Sequence, residues 1–101
     1  MKSIIDPGKT CIFCGAAGEE HHLLFGLGVR ELAEEDGIKI PCCRMHHTSG
    51  NLNNRIHDNP MAEKLSKILG QVFWEKNEVA KGSTEEEARV KFIARYGRSY
   101  Y

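Results

Sequence analysis

The sequence predicts a single α+β domain in which a short strand pair and a helix fold around bound metal and two C-terminal helices cover them. Three observations carry this prediction. All four cysteines and all five histidines of the 101-residue chain lie between Cys11 and His57, spaced as Cys-x-x-Cys and Cys-Cys-x-x-His-His. The segments around them are short and broken by glycine. From Pro60 onward, apolar residues instead recur at helical intervals between good capping residues. Residues 1–60 therefore form a metal-binding half and residues 61–101 a helical half.

The elements follow in order. Asp6-Pro7-Gly8 is a turn. Cys11-Ile12-Phe13-Cys14-Gly15 reads as a zinc knuckle, with Gly15 allowing the tight backbone return. His21 to Phe25 reads as a strand stopped by Gly26. Val29 to Asp36 reads as a helix closed by Gly37, and Ile38 to Pro41 as a second strand. Arg44 to Thr48 starts a helical turn that Ser49-Gly50-Asn51 ends. Asp58 or Asn59 caps a long helix with Pro60 in its first position. Leu65, Ile68, Leu69, Val72 and Phe73 give it one apolar face, expected to lie buried against the metal-binding half. It ends before Gly82. Ser83 or Thr84 begins the last helix, with Glu86 or Glu87 completing a capping box; Val90, Phe92, Ile93 and Tyr96 are its apolar side and Gly97 its stop.

Composition sets bounds. With 41% apolar residues the chain forms a core, but one this short buries a limited share of its surface, which a structural metal supplements. Such zinc sites contribute apparent binding energies of roughly 10–16 kcal/mol in small peptides. The formal net charge is zero, so no global field attracts nucleic acid, and any DNA contact rests on local patches. The polar start, Met1 to Pro7, is no signal peptide, and no apolar run approaches the roughly 18 residues of a membrane span. The expected setting is cytoplasmic and reducing, where Cys-x-x-Cys reads as a metal site before it reads as a disulfide.

A closed zinc site takes four ligands. Cys11 and Cys14 supply one pair. Cys43 and His46 repeat the same x-x spacing and supply the other; Cys42 with His46 is the rival pair. Consecutive helical residues point about 100° apart, so if His46 faces that ion, His47 faces elsewhere. His21, His22, His47 and His57 are then left for a second, more open site.

These pieces together resemble the HNH endonucleases of the ββα-metal class, and are similar to a group of small zinc-binding bacteriophage and prophage proteins. The resemblance rests on Cys11 to Cys14, His21-His22, Cys42-Cys43-Arg44-Met45-His46-His47, Ile56-His57 and Tyr96-Gly97-Arg98-Ser99-Tyr100. It implies an HNH-like core from a phage- or prophage-encoded protein in a bacterial host, tied to DNA metabolism and recombination. It implies a structural Zn²⁺ on Cys11, Cys14, Cys43 and His46. It also implies a catalytic divalent ion (Mg²⁺, Mn²⁺ or Ni²⁺) held by His21 and His47 with His57 as a further ligand or phosphate contact. His22 corresponds to the general base, so that His21, His22 and His47 are expected to converge on one cleft. Histidine titrates near neutrality and suits that role without tuning. The asparagine that usually orients the base has no counterpart: Ile38 falls near its place, and the nearest polar residue is Asp36. Arg30, Lys39, Arg44, Arg55, Arg95 and Arg98 are the cations available for phosphates.

Three readings follow. The first is a metal-dependent DNA endonuclease. The second is a catalytically silent zinc module for DNA or for a phage replication or recombination protein. The third is a protein whose helices pair with another chain, with Trp74, Tyr96, Tyr100 and Tyr101 as an exposed aromatic patch.

Overall fold

The computed structural model describes residues 1–101. Strand β1 (Glu19–His22) pairs antiparallel with β2 (Lys39–Cys42), and helix α1 (Val29–Asp36) connects them. A π-type turn (Met45–Ser49) and a 3₁₀ turn (Leu52–Asn54) follow, then α2 (Pro60–Ala80) and α3 (Glu85–Tyr96). The protein is thus a small α+β fold carrying a cluster of cysteines and histidines that could bind metal. No helix is long and apolar enough to cross a membrane.

Capping chemistry places the helix ends where the sequence puts them. Gly37 closes α1 with φ 70°, its amide donating to Ala33 and Glu34 carbonyls. The Asn59 side chain accepts from the Ala62 amide ahead of α2, with Pro60 in the first turn. Thr84 and Glu87 form a reciprocal capping box on α3, and Gly97, at φ 86°, ends it.

The strands differ from expectation in register. β1 begins two residues early, at Glu19, and ends at His22 rather than Phe25. Leu23 and Leu24 leave the ladder because they plug the core, at 1% and 0% exposure. They meet α2 at Gly70, where a Cβ would stand 2.8 Å from Leu24 Cγ, so only glycine allows this approach. β2 runs one residue further than expected, to Cys42.

The buried face of α2 needs a correction. The expected stripe is largely exposed: Leu65, Leu69 and Val72 face solvent, and Ile68 and Phe73 are half-buried. The inward face is one residue further round, at Ser66, Gly70, Gln71, Trp74 and Glu75. Each polar member of it has a partner. The Gln71 amide nitrogen donates to Glu75 Oε2 and Ser99 Oγ, while its carbonyl accepts from the Tyr100 amide at 2.6 Å. Trp74 Nε1 donates to Asp36 Oδ2 at 2.9 Å. Those bonds offset the cost of burying polar groups, and so hydrophobicity alone points to the wrong face. On α3, Phe92 and Tyr96 are buried but Val90 and Ile93 are not.

The core is Leu23, Leu24, Ala33, Ile38, Ile40, Trp74, Phe92 and Tyr96. It is aromatic at its centre: Phe92 stacks on Tyr96 at 4.6 Å and meets Trp74 edge-on at 5.5 Å. Asp36 ties its rim, accepting from Trp74, from the Tyr96 hydroxyl at 2.7 Å and from Arg95 through both oxygens. The aromatic patch imagined on the surface is therefore half interior: Trp74 and Tyr96 are buried, Tyr100 is half-buried, and Tyr101 is exposed.

Candidate metal centres

Backbone hydrogen bonds shape the knuckle. The Cys11 amide donates to Ala16 O, and the Gly15 amide returns to Cys11 O with Gly15 at φ 77°. An isolated bridge between Thr10 and Ala17 closes it. The π-type turn brings the second pair of side chains across. Cys14 Sγ lies 3.7 Å from Cys43 Sγ; His46 Nδ1 lies 3.7 Å from Cys11 Sγ and 3.2 Å from Cys43 Sγ. Ligand atoms of a tetrahedral ion with metal–sulfur bonds near 2.3 Å stand roughly 3.5–3.8 Å apart, and disulfide sulfurs about 2 Å. Cys11, Cys14, Cys43 and His46 therefore lie close enough together to bind a metal ion such as zinc.

The cysteines differ in readiness. Burial would raise the Cys11 thiol, but backbone amides of Cys43, Phe13 and Cys14 together with the His46 ring outweigh it and bring it down to about 6. Cys42, wholly buried at the end of β2, is pushed up to about 12 by burial and by the neighbouring thiols. It is Cys43 whose thiol joins the cluster, while Cys42 serves as an apolar wall.

A second cluster brings His21, His47 and His57 together. Their ring centroids form a near-equilateral triangle of 4.8–5.1 Å sides. His57 arrives because the chain folds back after the 3₁₀ turn: the Ile56 and His57 amides donate to the His46 and His47 carbonyls at 2.9 and 3.0 Å. Arg55 staples that return, donating to Gly50 O and His57 O.

Two of the rings have one nitrogen in a hydrogen bond, and the third has one beside a carboxylate. The Ser66 hydroxyl donates to Leu23 O, so its oxygen accepts from His21 Nε2 at 2.8 Å; this assignment leaves His21 Nδ1 with a free lone pair. That nitrogen is buried and has no hydrogen-bond partner. His47 Nδ1 donates to Glu19 Oε1 at 2.8 Å, and His57 Nδ1 faces Glu63 Oε2 at 3.6 Å. Metal-binding histidines are held in this way, the second nitrogen fixed by a carboxylate or hydroxyl. Burial, then the neighbouring His47 and His57, pushes His21 down to about 3, so it stays neutral and able to ligate. His57 is lowered by burial and by His47, against the opposing pull of Glu63.

His22 does not join them. Successive strand residues point to opposite faces, and His22 lies across β1 with its Nε2 2.8 Å from Glu34 Oε1. The expected convergence of His21, His22 and His47 thus fails for His22. Its orienting partner is Glu34, not Asp36. Glu34 also accepts from Lys39 Nζ and the Met1 ammonium, and His22, the N-terminus and Lys39 together hold its carboxyl far below the usual range. Burial alone would lower Lys39, but Glu20 and Glu34 outweigh it and raise it.

The cations divide similarly. Lys39, Arg55 and Arg95 are ion-paired within the chain, leaving Arg30, Arg44 and Arg98 outside any ion pair. Lys67, which hydropathy does not single out, stands 4.6 Å from the Phe25 ring, itself 4.8 Å from His57. Glu19, Glu63, Ser66 and Lys67 are the residues that sequence reasoning misses; two of them are acids placed like the histidine partners common in metal sites. No family model, curated protein or solved structure matches the chain.

Proposed function

We propose that the chain is a divalent-metal-dependent DNA endonuclease of the phage HNH type. In this reading zinc sits in the Cys11, Cys14, Cys43 and His46 cluster and the His21, His47 and His57 trio is the working site. The observation that carries it is the trio itself: three converging imidazoles, with a nitrogen of His21 hydrogen-bonded to Ser66, one of His47 to Glu19, and one of His57 3.6 Å from the Glu63 carboxylate. A structural site is normally closed and thiolate-rich, whereas three protein ligands with room for more is the pattern of a catalytic one. A divalent ion held there supplies polarisation of a phosphoryl oxygen and a bound water of lowered pKa. The residues of the chain hold and orient. Ser66 fixes the His21 tautomer, Glu19 fixes His47, and the backbone return fixes His57. Lys67, over the Phe25 ring that packs on His57, offers an unpaired ammonium for a phosphate.

One observation favours a second reading, a catalytically silent zinc module that binds DNA or a replication or recombination protein. His22 is turned to Glu34, which leaves the trio without a histidine base beside it.

Cleavage of supercoiled DNA with Mg²⁺, Mn²⁺ or Ni²⁺ separates the two. The endonuclease reading expects nicking that His47→Ala abolishes with zinc content intact, and that His22→Gln spares while lowering stability. Wild-type protein that binds DNA but cleaves no form of it with any of these ions contradicts the enzyme reading. Loss of cleavage in a well-folded His22→Gln restores the general-base role to that residue.

A further inference from the structure

The segment that follows α3 comes back toward the trio. Gly97 ends the helix, and the Gln71 side chain accepts the Tyr100 amide, which sets the half-buried Tyr100 ring edge-on to Phe92 at 6.2 Å. From that ring a row of side chains leads to His57. Arg98 Cζ stands over Tyr100 at 4.7 Å. Lys67 Nζ lies 5.9 Å from the same ring and 4.6 Å from the Phe25 ring, and Phe25 packs on His57 at 4.8 Å. Rings and cations therefore alternate outward from the trio. The row starts beside the site itself, because Ser66, the residue before Lys67, holds His21.

Rings, not carboxylates, hold these cations. Of the three cations that stand over rings, Arg89 is also paired with Glu75, whereas Lys67 and Arg98 have no acid partner. A carboxylate would cancel the charge; a ring orients the cation and leaves the charge available. We propose that the row is a track for an unpaired DNA strand entering the trio. Lys67 contacts a backbone phosphate, and the exposed Arg98 guanidinium, backed by Tyr100, is a flat platform for a base. This assignment takes the trio as a DNA-cleaving site, as proposed above, and adds the form of strand that reaches it. Alternating cations and flat groups suit a single strand, which offers both its phosphates and its base faces. A duplex keeps its base faces stacked on one another, so the platform would stand idle against it. A short local row also needs no global field, in keeping with the zero formal net charge.

Fluorescence anisotropy of the full, zinc-loaded chain tests this, with a short labelled DNA strand and its blunt duplex and no further divalent ion added. The expected result is tighter binding of the single strand. Lys67→Gln should make the slope of log affinity against log salt shallower by about 0.7, the share of one phosphate contact on a single strand. Lys76→Gln removes an exposed cation nine residues further along α2, half a turn round the helix, and should leave the slope unchanged. Arg98→Lys keeps the charge but not the plane, so it should keep the slope and cut the preference for the single strand by roughly tenfold. Circular dichroism of all three should match wild type. A duplex bound as tightly as the single strand, equal slopes for Lys67→Gln and Lys76→Gln, or an Arg98→Lys that keeps the full preference each overturns the track. Nicking of supercoiled DNA separates this from the site reading: a wild type that nicks but shows no single-strand preference loses the track alone, and one that prefers the single strand through Lys67 and Arg98 but never nicks loses the endonuclease reading alone.

Discussion

Between Lys9 and Gly18, and again between Cys42 and His57, Cys11, Cys42, Cys43 and Ile56 are the only buried residues; Ile12, Phe13, Met45 and Leu52 all face water. The sheet, α1, α2 and α3 enclose a continuous core from Leu23 to Tyr96. The first region has too little apolar surface to fix its own shape; the second has enough, with Asp36 and Gln71 specifying how its pieces dock. A metal ion held by the thiols and imidazoles would do for the front lobe what packing does for the rest. Removing metal and removing packing should break different parts of the molecule.

The largest effect is expected from Cys43→Ser. Loss of one of the four ligand atoms at the knuckle should release binding energy on the order of several kcal/mol and melt the knuckle and the Arg44 to His57 return. Hydrogen exchange should show those amides unprotected while α2 and α3 stay protected. Uniform loss of protection in both regions would refute the division. Phe92→Ala, at a fully buried ring, should instead cost roughly 3–5 kcal/mol of global stability, read as a lower midpoint of denaturation, with metal stoichiometry unchanged in the folded protein.

How much of this was legible in the sequence depends on the kind of signal. Caps are local chemistry, so Gly37, Asn59, Thr84 and Gly97 mark the helix ends correctly. The paired Cys-x-x spacings are local too, and the structure brings Cys11, Cys14, Cys43 and His46 together. The inward face of α2 is not local. It is decided by partners far along the chain, His21 and Leu23 for Ser66, Asp36 for Trp74 and Tyr100 for Gln71, which no periodicity reveals. The direction of His22 was readable from strand alternation, since adjacent residues cannot share a face; the family resemblance pointed the other way. Glu19 and Glu63 carried no signal beyond their charge.

Acid should loosen the trio before it loosens the core. The folded state holds His21 at about 3 against an ordinary 6.5, so it binds fewer protons than the unfolded state between those values. Its stabilising contribution is therefore complete above 6.5 and is lost as pH falls toward 3, by several kcal/mol in all. Chemical denaturation of the protein without added divalent metal should show stability falling through that window. His21→Gln should flatten the fall, and an unchanged slope would place the proton uptake elsewhere. A smaller effect is expected from Ser66→Ala. It frees the His21 tautomer and should weaken ion binding at the trio by about 10–100-fold, leaving the thiolate cluster untouched. Equal weakening at both clusters would mean that Ser66 supports the fold rather than the imidazole.

The two-centre account meets its most direct test in a cobalt(II) titration of reduced, metal-free protein followed by absorption. Two ions per chain are expected. One shows the intense near-ultraviolet band of thiolate coordination and is lost in Cys43→Ser. The other lacks that band and is lost in His47→Ala combined with His57→Ala. A single ion per chain, or a second ion indifferent to the His47 and His57 substitutions, would contradict it.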